Sequence, residues 1–104
     1  MDSGNRQIHI FEIVIEEFIK SARPVGSEFL AENYDLEVSS ATIRNDLVFL
    51  EELGFLTKPH PSGGRIPTSR GWHYFIEEVR QSDLPKEEII RLNNLTSELL
   101  EKSE

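Results

Sequence analysis

The stretch from Val38 to Gly71, VSSATIRNDLVFLEELGFLTKPHPSGGRIPTSRG, constrains the fold more than any other part of the chain. Ser39 and Ser40 are hydroxyls suited to capping a helix. Apolar residues then recur at Ile43, Leu47, Leu50 and Leu53, a helical spacing that gives one buried face. Gly54 follows at the place where a left-handed residue closes a helix. The opposite face presents Ser40, Ala41, Thr42, Arg44, Asn45 and Val48, short or hydrogen-bonding near the helix start. A brief apolar strand (Phe55 to Thr57), a Pro/Ser/Gly turn carrying Lys58 and Arg65, and a second cap at Thr68 come next. A polar-tipped helix followed by a basic hairpin suits a reader of the DNA major groove with a wing beside it.

The flanking sequence fits the same plan. Ile8, Phe11, Val14 (or Ile15) and Phe18 predict a first helix over Arg6 to Lys20, broken by Pro24 and Gly26. Ser27 is expected to cap a short helix, Glu28 to Asn33, that buries Phe29 and Leu30. Asp35 to Val38 is a turn, so the second and third helices form a helix-turn-helix. Phe55 to Thr57 and Arg65-Ile66 are expected to pair across a turn in which Gly63-Gly64 supplies positive φ. Thr68 caps a fourth helix with Trp72, Phe75, Ile76 and Val79 on one face. Asp83-Leu84-Pro85 interrupts it, and Lys86 to Lys102 reads as a last helix with a stripe of Ile89, Leu92, Leu95 and Leu99. That stripe suits either a partner helix or packing back on the domain. The expected fold is mainly α, a winged helix-turn-helix with a three-helix core, a short β-hairpin wing and additional C-terminal helices. Residues 1–80 form the winged domain and 81–104 a linker and helix extension.

Composition limits the function classes. No apolar run approaches the ~20 residues of a membrane span, and the N-terminus lacks the layout of a secretory signal. A cytoplasmic location is expected. No cysteine is present, and His9, His60 and His73 are too scattered to suggest a metal set. The serines have no histidine at a recognisable catalytic spacing, and Ser62-Gly63-Gly64-Arg65 is not a phosphate-binding loop. Neither enzyme chemistry nor a cofactor is expected. The net charge of −8 argues against nucleic-acid binding if taken as a sum. Its distribution argues otherwise. Residues 1–37 carry eight acids against three bases and residues 77–104 eight against four, whereas Leu53 to Ile76 contains no acid at all. Salt screens charges beyond ~8 Å at physiological ionic strength, so a local positive edge on an acidic body can still attract phosphate.

Three pieces, Pro24-Val25-Gly26-Ser27, SSATIRND with its following LEELGFL, and PHPSGGRIPT leading into Gly71, resemble the N-terminal winged-helix domain of the heat-inducible transcription repressor HrcA family. The similarity runs from about Arg6 to Val79. It implies a domain that binds an inverted-repeat operator upstream of chaperone operons as a homodimer, with a larger C-terminal region contributing to dimerisation and a chaperonin modulating activity. This sequence ends at Glu104, where the family continues for much longer. It also reads Pro61 and Gly63 where the family commonly has Thr and Ala.

The candidate DNA-binding residues are Ser39, Ser40, Ala41, Thr42, Arg44, Asn45, Lys58, Arg65 and Arg70. Arg suits bidentate contact with guanine and Asn with adenine. The bland alternative pairs Arg44 with Glu51 or Glu52. Ser39 and Ser40 can cap the helix and meet phosphate through the same helix end. Lys58, His60 and Arg65 flank the turn, and the hairpin is expected to lay Arg65 along or into the minor groove. Arg70 either touches phosphate or balances Glu77 or Glu78. Four to six such cations on phosphate would give a log–log salt slope of roughly −4 to −5. Two rival readings are a winged-helix protein-interaction module without direct DNA binding, which the acidic total favours, and a small hydrolytic or metal enzyme.

Overall fold

The computed structural model describes residues 3–61, 63–79, 91, 94–96 and 98–100. The chain runs through α1 (Ser3–Ser21), α2 (Ser27–Asn33), α3 (Ser40–Glu52), β1 (Leu56–Thr57), β2 (Ile66–Pro67) and α4 (Ser69–Tyr74), which continues as a π-helical turn, Phe75–Val79. The architecture is the expected winged helix-turn-helix: α2 and α3 are the consecutive pair, and the hairpin follows α3.

α1 forms the centre because its apolar residues cover more than one stripe. Ile10, Phe11, Ile13, Val14, Ile15 and Phe18 are all buried, against Leu30 from α2, Ile43, Leu47 and Leu50 from α3, Leu56 and Ile66 from the hairpin, and Trp72 and Phe75 beyond it. Each such side chain contributes about 1.5–3 kcal/mol when fully buried. Phe11 meets Phe55, Tyr74 and Phe75 with centroids 5.6, 5.7 and 6.5 Å away. Phe18 lies 6.3 Å from Trp72. These rings hold α1 against the hairpin and α4, so the helix-turn-helix is built on a rigid back.

The helix ends follow their local chemistry. Ser39 caps α3, its Oγ accepting from the Thr42 N–H. Gly54 closes the helix at φ +85°, a conformation side chains rarely adopt. Thr68 caps α4 by accepting from the Gly71 N–H at 2.9 Å, and donates to the Gly54 carbonyl at 2.6 Å. The end of α3 and the start of α4 are thereby joined through one hydroxyl.

Several expectations are corrected. Ser27 is the first residue of α2 rather than its cap; Gly26 takes the cap position, with no side-chain bond. Leu30 is buried but Phe29 is 43% exposed, because so short a helix turns few positions inward. Leu53 is 40% exposed, lying just past the end of α3. The returning strand is Ile66–Pro67, with Leu56 opposite Pro67 and Thr57 opposite Ile66. Arg65 forms a bridge with Val25 instead. Gly64 is needed for contact rather than for positive φ: a Cβ there would fall 2.3 Å from the Val25 carbonyl carbon.

At the C-terminal side, Leu95 and Leu99 pack against the core, and the Trp72 indole N–H donates to Thr96 Oγ1 at 3.3 Å. The expected break at Asp83 to Pro85 and the stripe positions Ile89 and Leu92 lie outside the described residues. So does the Val79 side chain.

Candidate nucleic-acid interface

α3 spans 13 residues, about 20 Å at the usual rise. Its inner stripe buries Ile43, Asp46, Leu47 and Leu50. Its outer face leaves Ser40, Ala41, Arg44, Asn45 and Val48 exposed, with Thr42 half-buried. Ser39, at the tip, is also exposed, but its hydroxyl is engaged in the cap and lies 3.2 Å from Thr42 Oγ1. The polar end of the helix is therefore open to a ligand, not sealed in the fold.

Arg44 and the hairpin share one cleft. It is lined by Gly26 to Phe29 at the start of α2, by Arg44 from α3, and by Lys58, Pro61, Gly63, Gly64 and Arg65 from the wing. Lys58 curls over the wing turn, its Nζ donating to the Pro61 carbonyl at 3.1 Å in an exposed setting. A cation held this way needs little rearrangement to reach a phosphate, since the carbonyl takes one of its three donors.

Two of the expected contact residues do not point into the cleft as free cations. Arg65 does not project from the wing: it is buried, and its Nε donates to Glu51 Oε1 at 3.1 Å. The pairing that the sequence offered to Arg44 and Glu51 is made by Arg65. Arg70 is exposed but does not line the cleft. Its guanidinium carbon sits 5.4 Å from the centroid of Phe55, past the end of α3.

A family model described as the DeoR-like helix-turn-helix domain matches residues 14–69, from the second half of α1 through the wing to the first residue of α4. The chain belongs to this family. Within the DeoR-like match lie both helices of the pair and every residue lining the cleft. The heat-inducible transcription repressor HrcA of Chloroflexus aurantiacus is 55% identical over 76 residues, covering 73% of this chain and 20% of that protein. The repressor of the same description from Chloroflexus aggregans is 54% identical over 76 residues, with the same coverage. The chain thus spans about a fifth of the length of these relatives. A crystal structure of a hypothetical protein at 2.2 Å resolution superposes with a TM-score of 0.66 at 38% identity, covering 82% of this chain and 27% of that one.

The DeoR-like helix pair also carries a buried charge that the sequence analysis does not assign. Asp46 is buried within α3, where Arg6 donates to both of its oxygens, from Nε at 2.6 Å and from Nη2 at 3.1 Å, and Gln7 Nε2 adds a third bond at 3.2 Å. Asp46 sits three residues after Ile43, on the apolar stripe, and a carboxylate there needs a partner. Toward the other end of α1, the Tyr34 hydroxyl donates to the Glu17 carboxylate. This bond, with lesser effects of burial and of the Glu17 and Glu16 charges, pushes the Tyr34 pKa up to about 12.

No helix among the described residues is long and apolar enough to cross a membrane. Among those residues, no group of three or more His, Asp or Glu is placed to hold a metal ion.

Proposed function

We propose that this domain binds duplex DNA sequence-specifically as the DNA-reading part of a cytoplasmic transcription repressor of heat-shock or chaperone genes. The observation that carries the reading is that Arg44, on the outer face of α3, and Lys58, on the wing, line one cleft. A helix in the major groove and a wing on the neighbouring backbone can then touch the same duplex. The names of the two Chloroflexus relatives point to the same role.

In this reading Arg44 and Asn45 face base edges, and Ser39, Ser40, Ala41 and Thr42 lie where the helix enters the groove. Lys58 and Arg70 meet phosphate. With Arg65 turned inward, two cations per chain, Lys58 and Arg70, remain for the backbone, and the expected log–log salt slope is about −2. So small a footprint binds weakly, so the operator is expected to be an inverted repeat bound by two copies.

A gel-shift series across salt tests this, using an inverted-repeat duplex and a random duplex of equal length. A slope near about −2 per chain, with preference for the repeat, supports the reading. No binding to either duplex at low salt would favour a protein-interaction module. That second reading has its own observation: Ile8, Phe49 and Leu53 are exposed around an apolar groove floored by Phe11, Leu50 and Phe55.

A further inference from the structure

Arg65 connects the wing root to both sides of the helix-turn-helix. Its peptide exchanges two hydrogen bonds with Val25, the Val25 N–H reaching the Arg65 carbonyl at 2.9 Å and the Arg65 N–H reaching the Val25 carbonyl at 2.8 Å. The wing's returning strand is thereby fastened to the connector that leads into α2. From the same residue the guanidinium runs to α3, where Nε meets Glu51 Oε1 at 3.1 Å; the arginine side chain is 7% exposed and the glutamate 36%. The strands themselves are two residues long, too short to hold an orientation alone. The wing's direction relative to α3 must therefore come from what its root is tied to.

We propose that Arg65 and Glu51 form a strut that sets the angle between the wing and α3, and that both are positioning residues for DNA binding rather than phosphate contacts. This rests on the DNA-binding reading above and refines it. The strut and a simple charge effect predict opposite signs. Glu51 is bonded to Arg65, which lines the cleft, and as an independent acid it would repel phosphate, so its loss would strengthen binding. As one end of a strut, its loss releases the wing and weakens binding.

The test measures operator affinity across salt for the chain and for Glu51→Ala, Arg65→Ala and the double variant. Each single variant is expected to bind roughly five- to tenfold more weakly, with the wild-type salt slope. The double variant is expected to lose no more than either single one, as for two ends of one contact. Tighter binding by Glu51→Ala overturns the proposal. So do strictly additive losses, or an Arg65→Ala slope smaller by about one unit, the sign of a lost phosphate contact. Should Arg65→Ala not fold, Arg65→Met keeps the aliphatic stem and takes its place.

A DNA-free arm keeps the strut separate from the function it serves. In Glu51→Ala, the Val25 and Arg65 amides should exchange with solvent about tenfold faster, while those of Val14 and Ile15 in α1 keep their protection. Unchanged exchange at Val25 and Arg65 overturns the strut. Absence of duplex binding by the wild type overturns the DNA-binding role alone.

Discussion

Arg6, near the start of α1, and Asp46, midway along α3, form a forked ion pair across forty positions of sequence, with the aspartate side chain 4% exposed and the arginine 16%. A buried carboxylate is tolerated only when its lone pairs are satisfied, and here Gln7 supplies the remaining donor. Asp46→Ala is expected to lower stability by about 2–3 kcal/mol, read as a shift in the urea midpoint. Arg6→Ala should also destabilise, because it leaves the carboxylate buried beside a single neutral donor. A wild-type midpoint in both variants would show that the pair contributes nothing net.

Arg44 and Lys58 line the same cleft but should behave differently. Arg44→Ala is expected to cost about 1–3 kcal/mol of operator affinity and to relax preference at one base position. Lys58→Ala should weaken binding to all sequences alike and reduce the salt slope by about one unit. Titrations of single-base operator variants separate the two. Identical profiles would mean that base and phosphate roles are wrongly divided.

The Tyr34–Glu17 bond gives an alkaline limit to stability. The phenol is held to about pH 12, chiefly because ionisation would remove the proton it donates to Glu17, whereas an unfolded tyrosine ionises near pH 10. A pKa raised on folding contributes stability that is full below the unfolded value and is lost as pH rises through the folded one. Unfolding free energy should therefore decline between about pH 10 and 12. Tyr34→Phe should flatten that decline when denaturant midpoints are followed against pH.

Gly64→Ala places a methyl group against the Val25 carbonyl. Neither backbone can yield without opening the bridge between wing and connector. A loss of about 3 kcal/mol is expected, a fall in Tm of roughly 12 °C or more for a chain of this size. Thermal unfolding by circular dichroism measures it.

Trp72 is the single tryptophan of the chain, so its emission reports one site. Thr96→Val withdraws the acceptor of its indole N–H and should cost about 1 kcal/mol with a shift in emission maximum. Unchanged emission would mean that Leu95, Thr96 and Leu99 do not rest on the domain in solution.

The parts legible in sequence were those governed by near neighbours. The Ser39 and Thr68 caps, the reversal at Gly54, the outer face of α3 and the order of elements all depend on residues within a turn of one another. What escaped depends on distant partners. Asp46 at an apolar position shows locally that a partner is needed, but only the fold makes that partner Arg6. Arg65 reads as a wing-tip cation because its local context is a glycine-rich turn; only the fold brings Glu51 and Val25 to it. Gly64 is explained by the approach of a backbone from the opposite end of the helix pair rather than by its own turn. The exposure of Phe29 follows from the shortness of α2, which periodicity over so few residues cannot resolve.

The fork from Arg6 grips α3 on the side turned away from Ala41, Arg44, Asn45 and Val48. Rotation of the rod about its own axis is thus fixed from behind, independently of what its front carries. In the DNA-binding role proposed above, substitutions on the front would alter which bases are preferred while the presenting angle stays the same, so the choice of sequence would be separate from the mechanics of presentation.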